Sequence, residues 1–268
     1  MVAIARDEVR VTGAAGARPM VLVHGFGCDQ EMWRHVVPDL ATDHRVVTFD
    51  LVGFGASDVR RYDRERYGTL HGHAADVVAL CRRLELSDVV LVGHSVSAII
   101  AVLAQQQAPD LITALVLIGP NPRYVDDEDG YTGGFSRADI TALLDALDSN
   151  QLAWSAAMGP AIMGNPDRPE LADELTRSFC RTDPGVARHF ARVTFLSDNR
   201  ADLAGVTVPT LVLQCTDDVI APEPVGRYVH RAVPGSTFVQ LAATGHCPHL
   251  SAPAETVAAI RAFVAADR

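Results

Sequence analysis

The chain has no long apolar run. No stretch of its 268 residues is apolar enough to span a bilayer, and the N-terminal residues Met1-Val-Ala-Ile-Ala-Arg-Asp-Glu8 lack the basic-then-apolar layout of an export signal. These absences predict a cytoplasmic protein with no membrane partner. Cysteine is sparse as well. Cys28, Cys81, Cys180, Cys215 and Cys247 form no C-x-x-C pair and no metal-ligand spacing, so free thiols are expected and not a disulfide framework or a metal site. Positive charge is in deficit: the formal net charge is −10 and the pI about 5.4, which argues against nucleic acid or anionic membrane as partner. There is no G-x-x-x-x-G-K-[ST], and no acid stands at dinucleotide-binding spacing. The glycine-rich segment Asp50-Leu-Val-Gly-Phe-Gly-Ala-Ser-Asp58 therefore reads as a tight turn in which Asp50 and Asp58 make local hydrogen bonds. His71 and His73 lie close together but lack further ligands. No metal, nucleotide or flavin cofactor is expected, and there are no internal repeats or low-complexity segments.

What remains is a globular composition of sufficient length for one α/β domain. Short apolar runs at 20–24, 45–50, 89–93, 114–119, 210–215 and 237–241 read as buried strands. Helical patterns near 69–86, 96–108, 223–233 and 252–266 lie between them. This alternation predicts right-handed βαβ units, a mostly parallel central sheet with helices on both faces, and ligands at the carboxyl ends of the strands. One segment departs from it. Residues 121–199 show no convincing strand, only helical patterns at 136–149, 151–163, 169–179 and 184–196 punctuated by glycine and proline. We read this as a helical cap, with 1–120 and 200–268 as the core.

The chemistry-bearing residues follow strands. Gly93-His94-Ser95-Val96-Ser97 directly follows Val89-Val-Leu-Val92 and matches G-x-S-x-G except for its last glycine, which is Ser97. Such a turn exposes its serine hydroxyl, but the hydroxyl needs a base, and the base needs a group to orient it. The order serine, acid, histidine requires an acid after a later strand and a histidine after one later still. Asp217 and Asp218 follow the strand at 210–215; Asp218 is favoured, four residues before Pro222, which opens the next helix. His246 and His249 follow the strand at 237–241; His246, behind Gly245, is favoured, with His249 as a helix-start or supporting residue. The early loop Val23-His24-Gly25-Phe26-Gly27 offers the Phe26 N–H, and the elbow offers the Val96 N–H, as two oxyanion donors. With Ser95 on this turn, Cys28 and Cys247 are poor nucleophile candidates.

Together these residues resemble the α/β-hydrolase superfamily, and within it the RsbQ-like group that includes the plant karrikin and strigolactone receptor hydrolases. The likeness is carried nearly end to end by His24-Gly-Phe-Gly-Cys-Asp-Gln30 with Trp33, Arg45-Val-Val-Thr-Phe-Asp50, Gly93-His-Ser-Val-Ser97, Tyr131-Thr-Gly-Gly-Phe135, Trp154, Phe195-Leu-Ser-Asp198 and Gly245-His246. Ser97 is then a mark of the subgroup. The resemblance implies an α/β-hydrolase fold with a helical lid inserted after the sixth strand. It also implies an apolar pocket lined by Phe26, Tyr124, Phe135, Trp154, Met158, Ala191 and Phe195, with Val96 at its base. Methionine at position 158, where the plant receptors tend to carry phenylalanine, suggests a differently shaped pocket. Two functions follow as expectations. One is a serine hydrolase of a small, largely apolar carboxylic ester or lactone. The other is a ligand sensor that regulates a partner protein, such as a phosphatase with a sensor domain.

Overall fold

In a computed structural model, residues 8–128 and 130–267 are described. Among the described residues, seven strands form one sheet: β1 (Val9–Thr12), β2 (Pro19–Val23), β3 (Arg45–Phe49), β4 (Val89–His94), β5 (Ile112–Ile118), β6 (Thr210–Thr216) and β7 (Thr237–Thr244). Their order is β1-β3-β2-β4-β5-β6-β7, and every neighbouring pair is parallel except β1 with β3. Central strands buried on both faces must read as continuous apolar runs, and all six residues of β4 are buried. β1 is the strand that the sequence reading lacked. Val-Arg-Val-Thr is short and mostly exposed, and it pairs only along an edge, so it carries no buried apolar run.

The chain lays β3 on one side of β2 and then returns to lay β4 on the other. The loops leaving the carboxyl ends of β2 and β4 therefore diverge, and a crevice opens between them. Helices α1 (Val37–Leu40), α2 (His71–Arg83) and α3 (Val96–Gln107) belong to this first half. One core cluster packs α2 and α3 against the sheet; another packs Trp33, Val36 and the C-terminal helix against the opposite face.

Between β5 and β6 come four helices: α4 (Arg137–Ser149), α5 (Gln151–Met163), α6 (Pro169–Arg181) and α7 (Pro184–Leu196). Their starts are written locally. Ser136 and Asp139 form a reciprocal capping box for α4, the Asn150 side chain accepts from Ala153 N at 3.0 Å to start α5, and Asp183 accepts from Gly185 and Val186 N to start α7. Proline opens α6 and α7, where its missing N–H costs nothing. Five strands precede this segment among the described residues, where the resemblance implied six; a strand before Val9 would fall outside them. The sheet is completed by α8 (Glu223–Ala232), α9 (Pro248–Ser251) and α10 (Pro253–Ala266).

Polar bonds tie α6 to the core. Arg34 pairs with Glu174 through both nitrogens, Arg181 Nη2 meets Asp29 Oδ2 at 2.6 Å, and Ser178 Oγ donates to Gly27 O at 2.9 Å. The Asp50–Asp58 turn behaves as the sequence suggested. Asp50 accepts from Gln30 N and Ala56 N, each at 2.8 Å, and Asp58 caps the short turn at Val59–Arg61. Among the described residues, no helix is long and apolar enough to cross a membrane.

Candidate active site

β4 ends at His94, and α3 begins at Val96, so Ser95 occupies the turn alone. Its backbone has φ +59° and ψ −128°, a strained region for a residue with a side chain that costs on the order of 1–3 kcal/mol. Its amide donates to Ile118 O at 2.8 Å, which fixes the turn to β5. The turn tolerates no bulk at its first position: a methyl on Gly93 would lie 2.1 Å from Ser97 O. Ser97, the departure from the elbow pattern, donates its hydroxyl to His24 O and so joins α3 to the loop after β2.

That loop is braced by a histidine whose tautomer its neighbours define. Leu51 N–H donates to His24 Nε2 at 3.0 Å, leaving Nδ1 to donate to Gly25 O at 2.9 Å. Burial holds His24 below the usual histidine range. Among the described residues, neither Phe26 N nor Val96 N donates to a protein acceptor, so the two expected oxyanion donors stand open at adjoining strand ends. The Phe26 ring stacks parallel on Phe190 at 5.9 Å and meets Trp154, Phe179 and Phe195 at about 6 Å.

Of the two candidate acids, the structure brings Asp218 to the histidine. Its Oδ2 accepts from His246 Nδ1 at 2.7 Å, and its Oδ1 accepts from Ile220 N and Ala221 N, both at 2.9 Å. Three donors thus converge on one buried carboxylate. Asp217 is exposed, with a left-handed backbone at φ +51°. His246 is held by its own main chain: its N–H donates to Ile162 O at 2.9 Å, and its carbonyl accepts from His94 Nε2 at 2.8 Å. Gly245 must be glycine, since a methyl there would lie 1.9 Å from Met163 O. With Nδ1 engaged by Asp218, His246 Nε2 is buried and has no hydrogen-bond partner among the described residues.

His94 is neutral, since burial lowers it to about 3. His249 lies behind it, its ring tilted against Trp33 at 4.6 Å and edge-on to His94 at 4.5 Å. This is a packing role, removed from the acid.

Ser95 and His246 line one narrow cavity with Phe26, Tyr124, Trp154 and Phe195. Burial pushes the Tyr124 phenol up, opposed by its interaction with the Ser95 hydroxyl. Phe135, Met158 and Ala191, expected in the lining, are not on this wall. They pack in the apolar cluster around it, where Phe135 and Met158 are half-buried and the short Ala191 methyl is covered by neighbours. Leu175, Phe179, Ile162, Thr194 and Ile220 line the wall but were not singled out in the sequence. Leu175 and Phe179 stand four apart on α6, a spacing that puts them on one face and was available as a signal. Cys28 and Cys247 also line the cavity, and burial raises both thiols well above their ordinary range, so they stay protonated. A larger, open groove between α2 and α7, lined by Asp198, Asn199 and Asp202 among others, contains none of the candidate residues.

The model of the Alpha/beta hydrolase family matches residues 20–260. A probable esterase of Oryza sativa subsp. japonica is 39% identical over 92% of this chain and 91% of its own. A strigolactone esterase of Arabidopsis thaliana is 37% identical over 95% and 94%, and a karrikin insensitive 2 receptor of Petunia hybrida 38% identical over 92% and 91%. Among solved structures, a hydrolase from Oleispira antarctica superposes with a TM-score of 0.93 at 38% identity, covering 96% of this chain and 94% of that one. Elbow, crevice and end-to-end likeness agree, and the chain belongs to the alpha/beta hydrolase family.

Proposed function

We propose that the protein is a serine hydrolase of a small, largely apolar carboxylic ester or lactone, with residues 121–199 acting as a cap over a core of 1–120 and 200–268. Ser95 Oγ attacks the carbonyl while His246 Nε2 takes its proton, and Asp218 holds the ring and stabilises the imidazolium. The N–H groups of Phe26 and Val96 hold the tetrahedral oxyanion. His246 then protonates the departing alkoxide, and water, deprotonated by the same nitrogen, releases the acid from the acyl-serine.

The observation that carries this reading is the His246 Nδ1–Asp218 bond, which leaves Nε2 bare in the cavity that Ser95 enters. The esterase names of relatives at 37–39% identity support it. Hydrolysis of p-nitrophenyl acetate by Ser95→Ala tests it. A fall in kcat of about 10⁶, or to background, is expected, and wild-type rates in the variant contradict it.

A second reading has one supporting observation, the receptor name of the Petunia relatives. In that reading slow turnover or bound ligand reshapes the cap for a regulatory partner protein. A kcat far below ~10 s⁻¹ together with a ligand-induced thermal shift supports it; ordinary turnover counts against it.

A further inference from the structure

The cavity is apolar except at two places. One is the candidate catalytic end, where Ser95, His246 and the Tyr124 hydroxyl meet. The other lies on the cap helices, where Trp154 on α5 and Thr194 on α7 line the same cavity. Trp154 is 5% exposed and Thr194 1% exposed, and neither Trp154 Nε1 nor Thr194 Oγ1 has a hydrogen-bond partner among the described residues.

Thr194 is the more telling of the two. A threonine inside a helix ordinarily hides its hydroxyl by donating to the carbonyl four residues back. Thr141 does so to Arg137 O at 2.9 Å, and Thr256 to Ala252 O at 3.0 Å. Thr194 does not, although it is more deeply buried than Thr141 and lies between Val193 and Phe195. Valine has the same shape and would fill the site without a stranded hydroxyl, and phenylalanine would supply the Trp154 ring face without an unpaired N–H. Two buried, unpaired donors therefore line one small cavity, and each is available to a ligand oxygen that enters it.

We propose that Thr194 and Trp154 form a second polar subsite at the cap end of the cavity, which takes a carbonyl or ether oxygen carried by the substrate away from its scissile carbonyl. The substrate class narrows accordingly, from a plain alkyl ester to an ester or lactone with a second, remote oxygen acceptor. The inference rests on the serine-hydrolase reading for the identity of the scissile end, and on the unpaired atoms alone for the remote end.

Matched esters test it. In p-nitrophenyl 3-methoxypropanoate and 4-methoxybutanoate an ether oxygen replaces one methylene of p-nitrophenyl pentanoate and hexanoate. The quantity read is the ratio of kcat/KM between oxygen and methylene partners, each corrected for its rate of hydroxide hydrolysis, so that a general loss of activity cancels. The wild type is expected to prefer at least one oxygen-bearing ester by about tenfold. Thr194→Val and Trp154→Phe should bring that ratio towards one, and Thr194→Ser, which keeps the hydroxyl, should retain it. Circular dichroism shows whether each variant is folded. A wild-type ratio near one for both pairs, with hydrolysis abolished by Ser95→Ala, overturns the subsite and leaves the catalytic reading intact. A preference that persists in both Thr194→Val and Trp154→Phe also overturns it. Undiminished hydrolysis by Ser95→Ala overturns both proposals.

Discussion

Lowering the pH from 8 to 5 should remove much of the stability of this fold, because it buries neutral histidines. His73 and His94 are both lowered to about 3 by burial, and His24 and His249 are displaced in the same direction for the same reason. In the unfolded chain these rings bind protons near the ordinary value of 6.5, so between that value and about 3 the unfolded state holds more protons than the folded one. Stability therefore falls as the pH drops below 6.5. At ~1.4 kcal/mol per pH unit, the 1.5 units down to pH 5 cost about 2 kcal/mol for each of His73 and His94, with His24 and His249 adding to the loss. A sum of about 4 kcal/mol or more compares with a total of ~5–15 kcal/mol for a typical domain. Asp198 does not confuse this window. Arg200 and Arg123 hold Asp198 at about 2, below its ordinary 3.8, so its contribution is lost only in stronger acid. The assay is urea unfolding followed by circular dichroism at pH 8, 6.5 and 5, on the wild type and on His73→Phe. His73 stacks on Tyr67 at 4.3 Å and meets Phe190 edge-on at 5.0 Å, with neither ring nitrogen paired, so phenylalanine keeps its contacts. The variant should lose about 2 kcal/mol less than the wild type between pH 8 and 5. Equal stability at the two pH values, or an unchanged slope in His73→Phe, would refute the reasoning.

Three further outcomes follow from the site. Asp218→Asn should lower kcat by about 10⁴ with little change in KM, since an amide cannot hold the required tautomer; steady-state kinetics decide it. Gly93→Ala forces a methyl to within 2.1 Å of Ser97 O, backbone that cannot step aside, and should cost about 3 kcal/mol or more in denaturant unfolding. Ser97→Ala removes the bond to His24 O and leaves that buried carbonyl unpaired. A loss of about 1–3 kcal/mol is expected, with a fall in kcat because the loop bearing Phe26 is released.

The sequence revealed the elements that bury continuous apolar faces or carry their own caps. The bounds expected for α5 and α7 coincide with those observed, because Asn150 and Asp183 mark their starts and Gly164 and Ser197 their ends. The candidate residues Ser95, Asp218 and His246 could be proposed from order along the chain because parallel strands put their carboxyl ends on one edge of the sheet. β1 was hidden because an exposed edge strand has no apolar signature. The cavity wall was only half readable. Which face of each of these four helices looks inward depends on how α5 packs on α6 and α4 on α7, and no local pattern states that. Hence Met158 and Ala191 were expected on the wall, while Phe179 and Thr194 stand there.

The central claim is that Ser95 is the nucleophile. Intact-protein and peptide mass spectrometry after treatment with an alkyl fluorophosphonate tests it most directly, since the phosphonyl–serine bond formed resists hydrolysis. One phosphonyl group per chain on the peptide containing Ser95, with fluoride expelled, is predicted, together with loss of ester hydrolysis and no label on Ser95→Ala. Label on Cys28 or Cys247 instead, or full hydrolysis by a chain unlabelled at Ser95, would contradict the account.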